Sequence, residues 1–273
     1  MRGAALLCLM AAGCAAPPSQ GGGGIVSMNP CADAALIELV PPARIASISH
    51  YSQDPIATSI PLEVARRFHA NRGTAEEIIA MKPDLVVASS FTSPSTREAF
   101  ARAGLKTLYL DMPVTVERSK EQVTELAAAL GTVEAGKAIN ARIDRALAAT
   151  TWRGDKVPAL LWIGGNLVSG SGTLLDDMMT RAGFSNHAAH YGLQFTGYLP
   201  IEHVVADPPR VMLVPDQAGR DQSSRANQLR SEALRHVGSK VTQAQFPRAL
   251  VNCGGPVIPQ AMARLAQIRR SIP

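Results

Sequence analysis

The chain has 273 residues, 46% of them hydrophobic, 18% charged and only 4% aromatic, with a net charge of +5. That length accommodates two cores of ordinary domain size. The positive charge is mild and dispersed, with no basic patch interleaved with aromatics, so no nucleic-acid partner is expected.

Met1-Arg2 followed by the apolar run 3–13 has the form of an export signal, and it is too short to span a membrane. Ala11-Ala12-Gly13-Cys14 resembles a bacterial lipoprotein box in which Cys14 is lipidated, although Ala11 stands where such boxes usually carry leucine. Cleavage after Ala16, releasing a soluble exported protein, is the alternative. Both place the mature chain outside the cytoplasm. Residues 14–24, with Pro17 and Pro18 early and four consecutive glycines at 21–24, read as a flexible tether. Of four cysteines, Cys8 and Cys14 belong to the signal region, which leaves Cys31 and Cys253 in the folded body and no disulfide scaffold.

Residues 25–28 read as a strand, and Asn29-Pro30 separates it from a helix over 32–39 that Pro41-Pro42 stops. A second strand, 44–49, opens into the turn-rich loop 50–55. A short helix over 74–81 carries Glu76 and Glu77 in its first turn and leads through Pro83-Asp84 into a buried strand, 85–88. Helix 95–103, stopped by Gly104, and strand 106–110 complete a strand–helix alternation.

Two helices follow within 115–151, over 116–130 and 133–148. The second places Ala135, Ile139, Ile143, Ala146 and Leu147 on one side, with Thr132 as its expected N-cap. Beyond them the alternation restarts: strand 159–163, glycine turn 164–166, helix 174–181, helix 201–206, strand 211–214, a helical stretch over 227–236 and a last helix over 258–269. Residues 74–87, TAEEIIAMKPDLVV, lie over residues 200–213, PIEHVVADPPRVML, at an ungapped offset of 126 positions, with Glu76 on Glu202, Ala80 on Ala206 and Pro83 on Pro209. A unit repeated on either side of a helical bridge predicts two lobes: 25–114, the bridge 115–151, and 152–273.

These residues resemble the periplasmic substrate-binding proteins of ATP-driven importers for cobalamin, iron siderophores and heme, closest to the cobalamin-binding members. The resemblance rests on residues 44–55, 76–87, 104–106, the bridge, and 174–186 followed by Glu202. It implies an α/β fold of two Rossmann-like lobes joined by a long backbone helix, with the ligand cleft between them. It further implies a monomeric, non-enzymatic periplasmic receptor without a cofactor of its own, lipid-anchored to the membrane, which passes a metal chelate to an ABC permease and its ATPase.

Carried over residue by residue, the resemblance assigns ligand contacts to Asn29, Pro30, Cys31, His50, Tyr51 and Ser89 to Phe91 in the first lobe. In the second lobe it assigns them to Gly164, Gly165, Asn166, Pro215, Asp216 and Cys253. Glu76 and Glu202 become permease contacts, one per lobe, beside the plain role of acidic residues at helix starts. The cobalamin binders line their pocket with tryptophans, whereas Trp152 and Trp162 fall at the bridge end and inside a strand, so the sequence does not supply a stacked corrin.

The remaining polar motifs carry less. His187 and His190 have a metal-binding spacing, yet Gly183 and Gly192 bracket them in an expected loop. Ser169-Gly170-Ser171-Gly172 lacks the order of a nucleophile elbow or phosphate loop and reads as a turn before a helix. No metal site is assigned. A secreted hydrolase or a lipid-anchored interaction module are the alternative functions, but no motif groups a nucleophile with a base. Because the resemblance turns Cys31 and Cys253 toward the cleft from opposite lobes, three states are open to them: a disulfide, a reduced pair facing a soft metal, or two independent buried thiols.

Overall fold

A parallel five-stranded sheet opens the chain in the computed structural model, which describes residues 23–164, 166–215, 235, 238 and 241–273. Its elements are β1 (Ile25–Ser27), α1 (Pro30–Leu39), β2 (Ile45–Ser49), α2 (Leu62–Ala65), β3 (Ala70–Asn71), α3 (Ala75–Ala80), β4 (Leu85–Ser89), α4 (Pro94–Arg102) and β5 (Thr107–Leu110), with strand order β3-β2-β1-β4-β5. Helices α5 (Val116–Leu130) and α6 (Val133–Thr150) form the bridge.

The second sheet follows from β6 (Val157–Gly164), β7 (Leu167–Ser169), α7 (Leu174–Arg181), β8 (Phe184–Asn186), α8 (His187–His190), β9 (Thr196–Tyr198), α9 (Ile201–Ala206), β10 (Val211–Val214), β11 (Thr242–Gln245) and α10 (Ile258–Arg270). Its order is β11-β10-β6-β7-β9, with β8 also on β6; β7 pairs antiparallel with both β6 and β9, and the other pairs run parallel. The expected fold of two α/β lobes joined by a long backbone helix is observed, with the connection made by the pair α5 and α6. The internal repeat is exact in register: α3 shifted by 126 positions falls on α9, and Leu85 on Val211, the first residues of β4 and β10.

Alternation along the strands explains why these segments are apolar on both faces. In β4, Leu85 and Val87 face α1 and the bridge, while Val86 and Ala88 join Ile78 and Phe100 on the outer face. In β6, Val157, Ala159 and Leu161 face the bridge, while Leu160 and Trp162 pack outward with Val204 and Met212. The length suggests two cores, but the inner faces of both sheets instead belong to one cluster, continuous through α1, α5, α6 and α10, with a smaller outer cluster on each lobe. Gly136 lets the bridge helices meet, since a Cβ there would lie 2.5 Å from that of Ala127.

Several local expectations are corrected. Helix α1 starts two residues early, at Pro30, because the Asn29 side chain accepts from the N–H of Cys31 and Ala32, and proline at the first position gives up no needed donor. Thr132 does not cap α6 with its side chain; its Oγ1 is buried without a partner. Residues 50–53 form a 3-10 turn, and His187 and His190 sit on a short helix rather than in a loop. The helical stretch expected over 227–236 lies almost wholly outside the described residues.

Candidate functional site: a cleft between the lobes

In a parallel sheet the strands end on one edge, and here those ends bring Asn29 after β1, His50 after β2, Phe91 after β4 and Asp111 after β5 together. Between this edge and the second lobe lies a cavity of about 570 Å³, within the range of small-ligand sites. Asn29, Cys31, Ser89 and Phe91 line it from the first lobe, joined by the segment from Leu110 to Val114. The second lobe contributes Ile163, Ser169, Thr173, Phe195 and residues 251–255. The floor is the bridge itself: Ser119, Gln122, Val123 and Leu126 recur at helical spacing on one face of α5.

Of the residues singled out from sequence, Asn29, Cys31, Ser89, Phe91 and Cys253 are on the wall. Pro30, His50, Tyr51 and Asn166 are not; His50 and Tyr51 lie one strand further along the same edge, their rings 4.1 Å apart, with His50 Nδ1 3.1 Å from the Asn71 carbonyl oxygen. Gly165 and Asp216 are outside the described residues, as is Cys14. Cys31 and Cys253 are joined in a disulfide, their Cα atoms 5.1 Å apart, which links the start of α1 to the second lobe. Beside it the Asn252 side chain donates to the Ala57 carbonyl at 2.9 Å, and the Gly255 N–H donates to Ser119 Oγ at 2.7 Å.

The wall is mostly apolar. Phe91, Met112, Val114 and Phe195, four of the large hydrophobic side chains left exposed, all face this space. Phe91 is 74% exposed although its loop is held: Arg97, stacked on Tyr109, donates to the carbonyls of Ser90 and Thr92 on either side. Phe195 has a left-handed φ of 57°, a conformation that costs a bulky residue about 1–3 kcal/mol. Its N–H donates to Ser171 O at 2.7 Å and its carbonyl accepts from Gly170 N at 2.5 Å. Only glycine at 170 permits this approach, since a Cβ would lie 2.2 Å from Phe195 O.

Charge is sparse. Asp111 is the one charged lining residue among those described, and hydrogen bonds from the Arg118 guanidinium hold its carboxyl below the usual carboxylate range. Behind the wall, Asp33 is fully buried on α1, where its Oδ2 accepts from Ser49 N–H at 2.9 Å and Ser52 Oγ at 2.7 Å, tying the His50 turn to the helix that bears Cys31. Burial pushes the Asp33 carboxyl up to about 7, against these hydrogen bonds. Serines 89, 119 and 169 line the cavity, and no histidine lies on its described wall. His187 and His190 are elsewhere, on α8, with His190 Nε2 2.9 Å from Asp207 Oδ2. Among the described residues no group of three or more His, Cys, Asp or Glu is arranged to hold a metal ion.

Met112, Gln122, Phe195 and the rest of the 110–114 segment were not anticipated from sequence. The strand-end rule, applied to β5, points to 110–114; the signal for Phe195 is a lone aromatic between Gly192 and Gly197.

Two α/β lobes facing one another across an apolar cleft floored by a bridging helix define a two-lobed ligand-binding protein. The chain belongs to the periplasmic binding protein family, whose model matches residues 25–237. Among solved structures it is similar to a periplasmic heme-binding protein from Roseiflexus sp. RS-1, with a TM-score of 0.74 and 20% identity over 91% of this chain and 97% of that one. A periplasmic heme-binding protein from Pseudomonas aeruginosa matches at 0.71 and 19%, over 90% and 91%. The periplasmic vitamin B12-binding protein of Vibrio cholerae matches at 0.67 and 17%, over 92% and 99%. At these identities the likeness is one of fold. No curated protein sequence matches the chain.

Proposed function

We propose that this protein is the extracytoplasmic receptor of an ABC importer, capturing a metal-containing chelate of the heme, cobalamin or siderophore class and delivering it to a membrane permease driven by its ATPase. The observation that carries this reading is the inter-lobe cavity with exposed apolar side chains from both lobes turned into it. Family membership and the heme and vitamin B12 binders of the same fold support it. The protein acts as a monomer in the periplasm, with residues 1–13 removed, Cys14 lipidated and 14–24 serving as tether to lobes at 25–114 and 152–273. No helix among the described residues is long and apolar enough to cross a membrane. Glu76 and Glu202, both exposed in the first turns of α3 and α9, are the permease contacts.

A thermal-shift titration of the mature protein with hemin, cyanocobalamin and ferric siderophores tests the reading. A chelate at 100 times its dissociation constant adds about 2.7 kcal/mol to stability. Absence of stabilisation by every chelate, together with turnover of model esters, overturns it in favour of a hydrolase.

A further inference from the structure

Phe91 and Phe195 present aromatic rings to one cavity from opposite lobes, and each is held out at a local cost. Phe91 stays largely in solvent on a loop pinned by Arg97 through the carbonyls on both sides. Phe195 is 56% exposed and one of two described non-glycine residues with positive φ, the other being Lys82. A strained backbone that displays an apolar ring instead of burying it points to a task for the ring. The wall also offers a metal little. Both cysteine sulfurs are consumed by the disulfide, Asp111 is engaged by Arg118, and neither His nor Tyr lies on the described wall, which leaves the thioethers of Met112 and Met178. Among the described residues, ligand recognition through the metal is therefore poorly provided for, whereas recognition through a ring face is built in.

We infer that Phe91 and Phe195 are the jaws of an aromatic clamp that selects chelates by the flat conjugated face of a tetrapyrrole macrocycle, independently of the metal it carries. This rests on the receptor reading above. Stacked or edge-on contacts between conjugated rings and phenylalanine add attraction beyond buried area, and a compact ferric chelate has no flat face to offer.

The test is calorimetric titration of hemin, metal-free protoporphyrin IX and a ferric tris-hydroxamate into the wild type, Phe91→Ala, Phe195→Ala and Phe195→Gly. Hemin and protoporphyrin IX are expected to bind the wild type within about tenfold of each other, and each variant to weaken both by about tenfold or more. Glycine relieves the positive φ and alanine does not, so Phe195→Gly is expected to melt above Phe195→Ala while binding no better. Lys82→Gly, at the other strained position and off the cavity wall, is expected to leave binding unchanged. Wild-type affinity in the variants, or binding of hemin without protoporphyrin IX, overturns the clamp while leaving the receptor reading intact. A wild type that takes only the hydroxamate chelate also overturns it, and a wild type that binds no chelate ends both.

Discussion

Removing the Cys31–Cys253 disulfide is expected to lower stability severely without dismantling the fold. The bond joins residues 222 positions apart, and the chain-entropy relation gives about 5 kcal/mol for a loop of that length. At about 2–4 °C per kcal/mol for a protein of this size, the melting temperature should fall by about 10–20 °C. The effect acts on the unfolded chain, because neighbouring links survive in the folded one: Asn252 to Ala57, Gly255 to Ser119, and the Val116 N–H to Asp177 at 2.8 Å. The assay compares thermal melts of the mature wild type, with and without reductant, against the double variant C31A/C253A. Far-ultraviolet dichroism at low temperature should be the same in all. Melts agreeing within about 2 °C, below the roughly 1 kcal/mol a shift of that size represents, would refute the reasoning, as would alkylation of both cysteines in the absence of reductant.

Gly136→Ala should destabilise by about 1–3 kcal/mol, read by urea denaturation, because the new methyl meets Ala127 at 2.5 Å; a gain of the kind expected in an open helix would contradict the close approach of α5 and α6. Asp33 has a folded pKa raised to about 7 from 3.8, so the folded state holds the extra proton between those values and stability falls as pH rises through that window, the loss being complete above about 7. Asp33→Asn should remove this slope, and identical pH profiles for the two proteins would dismiss it. Glu76→Arg and Glu202→Arg should leave chelate affinity unchanged while lowering uptake in cells; normal uptake by the double variant would exclude them as permease contacts.

Helix and strand legibility followed length and pattern. Helices α5, α7 and α9 and strand β10 lie where the sequence places them: α5 is a long helical run, Gly183 follows the end of α7, and α9 with β10 repeats α3 with β4 at the offset of 126 positions. Strands β7, β8 and β9 have three residues each, too few to show a period, and β11 reads TQAQ with no apolar pair, because it is a largely exposed edge strand. From the sequence the cleft was reached only through the family resemblance, which assigned it Asn29, Cys31, Phe91 and Cys253, all on the cavity wall. Ser119, Gln122 and Phe195 reach it through tertiary proximity, since a bridge helix gives no sign in its own sequence that one face floors a cavity.

The shared core sets how cargo can leave. Since the inner faces of both sheets, α1, the bridge and α10 bury into a single cluster, swinging the lobes apart would return apolar surface to water at about 2.5 kcal/mol for each 100 Å² uncovered. Thermal motion alone does not supply wide opening against such a gradient. Unloading then becomes a matter of leverage: separating the lobes widely means doing mechanical work against that cluster, whereas displacing only the strand-end loops that rim the cleft leaves both lobes almost where they stand.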